Sequence, residues 1–133
     1  MCDLALNNAE KTLDYVFKDR SFLTRALTHA SSVGNREESN ERLEVLGDAI
    51  LGFYICEILF EMFPNLLEGE LTKLKSTLVS RATCARVARE GEYGSWLKMG
   101  KGMAVQGAIP LSVLAGLYEA LLGAIYLDGG HLA

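Results

Sequence analysis

The sequence predicts an all-α domain. Three observations carry that expectation. Only two prolines, Pro64 and Pro110, interrupt 133 residues. β-branched residues rarely alternate with polar ones, which is what a half-buried strand requires. Apolar residues instead recur three and four apart, the spacing of one helix face. Half the residues are hydrophobic and 23% are charged, which excludes a disordered chain, and the length is that of one domain with a sizeable core.

The elements follow in order. Asn7 or Asn8 can cap a first helix over roughly 9–16, with Leu13 and Val16 inward. Asp19 can cap a second over 20–30, where Phe22, Leu23, Ala26 and Leu27 form a stripe. The polar segment "SSVGNREESN", 31–40, is a loop. A long helix then runs from Glu41 to Met62 and stops before Pro64. Leu43, Leu46, Ile50, Phe53, Tyr54 and Ile58 make it apolar nearly all round, the pattern of a central, buried helix. Leu71, Leu74, Leu78 and Val79 mark the next. Ser80 can cap another through Glu90, closed by Gly91. A short apolar turn at Trp96 and Leu97 leads into a glycine-rich loop, 100–107. Pro110 suits the first position of a last helix that ends at Gly129–Gly130. There is no internal repeat.

Several functional classes recede on composition. The longest apolar run, Leu43 to Phe63, contains Glu44, Asp48, Glu57 and Glu61, four acids that argue against a membrane span. No basic stretch followed by an apolar core opens the chain, so a signal peptide is not expected and the cytoplasm is the expected location. Cys2, Cys56 and Cys84 lack metal-ligand spacing; Cys56 and Cys84 read as small core residues of a reducing compartment. The net charge of −4 lacks the basic footprint of a phosphate binder. Acids gathered to hold cations would lift that objection. "GKGMAVQG", 100–107, lacks the spacing and the Lys-Ser/Thr of a phosphate loop.

The informative stretch is "NERLEVLGDAIL", 40–51. Glu41, Glu44 and Asp48 lie three and four residues apart, within roughly 60° on one helix face. Like charges at that spacing destabilise a helix. A solvated face is the ordinary reading of such acids, but these sit among apolar residues and border a core. Acids there need arginine, lysine or a hard cation. Arg42 points about 100° away from Glu41, so a shared Mg²⁺ is the sharper candidate. Glu119 interrupts Leu117, Tyr118, Leu121 and Leu122 on the last helix and asks for the same partner. Asp128 reads as a helix-end acid and His29 as a hydrogen-bonded structural histidine. Lys73, Lys75, Arg81, Arg86 and Lys101 are solvated charges unless they flank the acids.

With these residues in view, "NERLEVLGDAIL" resembles the ribonuclease III signature, usually N-E-R-L-E-F-L-G-D-A/S-V/I-L. The resemblance extends through "ALTHAS", "EGELTKLKSTLVSR", "LKMGKG" and "EALLGAIYLDGG", nearly the whole chain. It implies a catalytic domain over 1–133, without the double-stranded-RNA-binding domain that often follows, so a truncated protein is expected. It further implies an all-helical, two-fold homodimer that cuts double-stranded RNA with Mg²⁺, or Mn²⁺ in its place, leaving 5′-phosphate and 3′-hydroxyl ends. Carried over, Glu44, Asp48 and Glu119 match metal-site carboxylates, Asp48 and Glu119 being catalytic with them. Glu41 matches the acid at the edge of the cleavage valley. Lys73, Lys75 and Lys101 become candidate RNA contacts, and Val45 and Leu46, beside Leu43, candidate dimer contacts.

Two positions depart from the pattern. The family's last helix reads L-A-D-x-x-E-A, whereas this chain reads "LAGLYEA", so Gly116 stands in place of an aspartate one turn from Glu119. Glycine costs a helix interior about 1 kcal/mol relative to alanine, so helix stability gives no reason for it. Val45 replaces the usual Phe and predicts a smaller dimer contact. The leading expectation is an endonuclease weakened by Gly116. The competitor is a domain of the same fold that grips duplex RNA without cutting it. A purely structural dimerisation module would leave the acids without a role.

Overall fold

Side-chain caps, from Asp19, His29, Asn35 and Ser80, start four of the described helical segments. The computed structural model describes residues 3–100 and 108–133. Its helices are α1 (Asp3–Leu13), α2 (Arg20–Ala26), α3 (Glu41–Met62), α4 (Glu68–Leu78), α5 (Arg81–Glu90) and α6 (Leu111–Gly129). Short 3-10 turns occupy Ala30–Ser32, Arg36–Glu38 and Tyr93–Trp96. Asp19 accepts from the Ser21 amide to open α2, and Ser80 accepts from the Thr83 amide to open α5. His29 caps the turn at Ala30–Ser32, its Nδ1 accepting from the Ser31 amide at 3.1 Å. Asn40 ties the start of α3 to the end of α2: its amide donates to the Thr28 carbonyl and its Nδ2 to the Ala26 carbonyl.

The fold is built on the crossing of α3 and α6. A Cβ at Gly47 would lie 1.6 Å from the Glu119 carbonyl oxygen, and one at Gly123 would lie 2.6 Å from the Leu43 carbonyl oxygen. The two helices therefore meet backbone to backbone, which only glycine permits. One core lies on the α1–α2 side of this crossing, with Leu6, Phe17, Leu23, Leu27, Leu43, Trp96, Leu117 and Leu121. A smaller one, with Leu51, Cys84, Ala85, Ala88 and Leu114, joins α3, α5 and α6. Asp128, at the end of α6, accepts from the Tyr15 hydroxyl at 2.7 Å and from the Lys18 and Asp19 amides at 2.9 and 2.8 Å. It is the helix-end acid that its sequence position suggests.

Several expectations need correction. The first helix is Asp3–Leu13 rather than 9–16, because Asp14 takes a left-handed φ of 55° and ends it; Val16 is 77% exposed instead of inward. The second helix ends at Ala26, where the Lys98 amide donates to Leu27 and the His29 amide to Lys98 in place of further helical bonds. Pro110 caps α6 from outside. Cys56 is exposed on α3, whereas Cys84 is buried as expected. The central helix is α6, not α3. Nine of its residues are buried, Leu114 to Leu117 among them, and although it is long and apolar enough to cross a membrane, half of that apolar stretch is buried inside the protein. α3 is buried on one side only: Leu43, Leu51 and Leu59 face inward, while Val45, Phe53, Ile58, Phe60 and Met62 are exposed.

Candidate active site

The α3–α6 crossing positions the acids. Glu44 stands one turn before Gly47 and Asp48 directly after it, while the α6 backbone that Gly47 touches is that of Glu119. Close approach of the helices thus places the three carboxylates on one cavity of about 240 Å³, walled also by Val79 and Arg81. A second cavity of similar size opens beside it, lined by His29, Asn40, Glu41, Glu44, Arg81 and Gly116. Glu44 and Arg81 line both, and their ion pair, Nη2 to Oε1 at 3.5 Å, stands between the two spaces.

The electrostatics follow from burial and crowding. Glu119 is only 5% exposed. Burial, then the hydrogen bond with Asp48 and the charges of Asp48 and Glu44, push its pKa up to about 8, against a smaller opposing pull from Arg81. Asp48 itself is exposed. Glu41 accepts from Arg36 Nε at 3.1 Å and Nη2 at 2.5 Å, which turns it toward the loop. A carboxyl whose folded pKa exceeds its unfolded value stabilises the fold fully at low pH and loses that contribution as pH rises through the folded pKa. In a chelating buffer the melting temperature is therefore expected to fall between pH 5 and pH 8, the window set by Glu119. Asp48→Asn removes the neighbouring charge and should flatten that slope without lowering stability at pH 8; an equally steep slope in the variant would contradict the coupling.

Three carboxylates and no cysteine on one cavity are the donor chemistry of a hard divalent cation, so the residues fit Mg²⁺ or Mn²⁺. They are not a finished coordination sphere: among the described residues no group of three His, Cys, Asp or Glu side chains stands at ligand spacing. The raised pKa of Glu119 and the Arg81 guanidinium on Glu44 offset charge where a cation would. Gly116 faces the same place, since a Cβ there would lie 2.6 Å from Glu44 Oε2.

Other expected site residues lie elsewhere. Lys73 and Lys75 are on α4, and Lys75 packs over Gly52 and lines the α3–α4 groove, away from the acidic cavities. Lys101 falls outside the described residues. Leu43, expected near a dimer contact, is buried in the core; Val45 is 73% exposed and Leu46 half-buried. Among the described residues, the cations that reach these acids are Arg36 and Arg81, neither of which the sequence places at the site. Nothing in their spacing marks them. Gly47 had a usable signal, a glycine inside an otherwise apolar helix, which points to close backbone approach.

Residues 19–133 match a protein-family model described as Ribonuclease-III-like. The chain belongs to the ribonuclease III family. Among curated relatives, Ribonuclease 3 of Rhodopirellula baltica is 42% identical over 94% of this chain and 47% of its own length. Ribonuclease 3 of Pseudomonas aeruginosa is 48% identical over 95% of this chain and 54% of its own. The chain therefore spans about half the length of the curated relatives it matches. The fold is similar to the nuclease domain of ribonuclease III from Campylobacter jejuni, at a TM-score of 0.88 and 38% identity over 92% of this chain and 85% of that one; the Campylobacter domain is described as flexible in a region involved in dimer formation. Dicer from Pichia stipitis is similar at a TM-score of 0.67 and 28% identity, over 86% of this chain and 49% of that one. The all-helical fold and the ribonuclease III nuclease-domain assignment both stand on these likenesses.

Proposed function

We propose that this chain is the nuclease domain of an endoribonuclease that cuts double-stranded RNA with Mg²⁺, Mn²⁺ serving in its place, and leaves 5′-phosphate and 3′-hydroxyl ends. The observation that carries the reading is the convergence of Glu44, Asp48 and Glu119 on one cavity at the α3–α6 crossing. These three would hold the cation. When bound, it supplies electrostatic stabilisation of charge developing at the phosphate. Glu119, fixed on the most buried helix, sets the depth of the site; exposed Asp48 and half-buried Glu44 face the approaching RNA. Glu41, held by Arg36, stands at the rim of the adjoining cavity, where it can orient the backbone beside the cut. Gly116 removes a fourth carboxylate and slows the reaction. Incubating a long RNA duplex with the protein in Mg²⁺ and in chelator should give cleavage only in Mg²⁺, abolished by Glu119→Gln. Tight duplex binding with no cleavage in either condition would replace this reading with the non-cutting one, which the loss at Gly116 favours.

The working unit in this proposal is a homodimer. Val45, Ile50 and Phe53 lie exposed or half-buried on α3, and Leu46, Phe53, Tyr54 and Tyr126 line an apolar hollow of about 340 Å³. Such a face, free of charge at its centre, suits a second copy of the chain. At ~50 µM the protein is expected to sediment as a dimer, and Phe53→Glu as a monomer, since an unpaired charge buried between the subunits costs ~3–5 kcal/mol and each 1.4 kcal/mol weakens the dimer tenfold. A wild-type monomer at that concentration would contradict it.

A further inference from the structure

Arg81 is a poor choice for its own helix. It is the first residue of α5, where the positive end of the helix dipole disfavours a cation, and no acid accompanies it in the first turn. Its surroundings explain the choice. Nη2 lies 3.5 Å from Glu44 Oε1, Nη1 donates to the Ser112 carbonyl at 3.4 Å, and the guanidinium reaches both acidic cavities. Glu44 in turn can lean this way because residue 116 is glycine: a Cβ there would stand 2.6 Å from Oε2 and push the carboxylate off its position.

We infer that Arg81 is the resident cation of the site, holding Glu44 in the metal-free protein and competing with the divalent ion for that carboxylate. The inference rests on the metal-site reading proposed above and adds a residue to it. A guanidinium stays charged at any working pH, so it yields Glu44 only by moving away. Its side chain is 58% exposed, which leaves it free to do so. Gly116 and Arg81 then act together: the missing side chain lets Glu44 fold toward α5, and the arginine keeps it there. Arg81 is a positioning residue, acting through Glu44.

Calorimetric titration of the RNA-free protein with Mn²⁺ tests this. Arg81→Gln should bind Mn²⁺ about threefold to tenfold more tightly than wild type, the range expected for removing a half-exposed competing charge. Arg86→Gln, which removes the same charge from the same helix where Arg86 pairs with Glu90 at 4.0 Å, should bind within about twofold of wild type. Gly116→Ala displaces Glu44 from Arg81, so Arg81→Gln should gain little in that background. Equal or weaker Mn²⁺ binding by Arg81→Gln, or the same gain in Arg86→Gln, overturns the inference and leaves the metal site standing. Absence of Mn²⁺ binding in every protein overturns both.

Discussion

Gly116→Asp is expected to raise single-turnover cleavage of a long RNA duplex at saturating Mg²⁺ at least ~100-fold. Position 116 lies one helical turn from Glu119 and faces Glu44, so a carboxylate there joins the other three. The close contact at its Cβ is with Glu44 Oε2, the far end of a flexible side chain, which can rotate aside. An aspartate there would add an oxygen donor and negative charge to the carboxylates that would hold the cation, so its binding should tighten. Loss of one such interaction at the transition state is worth ~3 kcal/mol, and each 1.4 kcal/mol is tenfold in rate. The metal-free variant should melt lower than wild type because four carboxylates then crowd one place, and Mg²⁺ should raise its melting temperature more. Equal cleavage rates for the two proteins would show that the fourth acid is dispensable here.

Gly47→Ala should produce the largest loss of stability of the alanine substitutions at the described glycines. The new Cβ would meet the Glu119 carbonyl oxygen at 1.6 Å and its carbon at 2.5 Å, atoms of a helix backbone that cannot rotate away. α3 and α6 must separate, opening the core on both sides of the crossing. Overpacking of this kind costs ~3 kcal/mol or more, a large share of a domain's 5–15 kcal/mol, and about 10 °C or more in melting temperature at this chain length. Gly52→Ala, five residues along the same helix, is the control. Its Cβ would meet only Lys75 Cε at 3.5 Å, an ordinary contact, and the better helix propensity of alanine should leave stability unchanged or slightly raised. Thermal melts of the two variants decide the matter; similar melting temperatures would mean that the crossing is looser than described.

What the sequence made legible follows a physical division. Local signals were readable: Asp19 and Ser80 as caps, the long helix ending at Met62, and the acids of "NERLEVLGDAIL" as out of place in an apolar segment. Periodicity reports one helix's own face pattern, and α3, apolar nearly all round, reads from it as a central, buried helix. Burial depends on what packs opposite, and α6 holds the centre while Phe53 and Phe60 stay exposed. The acids could be grouped by helix geometry, but their arginine partners could not. Arg81 meets Glu44 across 37 positions, and Arg36 reaches Glu41 only through the shape of a loop. The placement of Lys75 is illegible for the same reason: α4 turns it onto α3 at Gly52.

The placement of α6 also bears on how the protein is made. This helix supplies the centre of both cores, the acid Glu119, and, through Asp128, the bonds that hold Tyr15, Lys18 and Asp19 in the loop before α2. Those bonds close loops of 109 to 113 residues. A nascent chain emerging at ~5–20 residues per second can form α1 to α5 as separate segments, but α2, α3 and α5 lack their main partner until α6 leaves the ribosome. Folding is then completed late and all at once, and the acids of α3 wait beside the translation machinery without Glu119. A nuclease domain built this way brings Glu44, Asp48 and Glu119 to one cavity only when synthesis has passed α6.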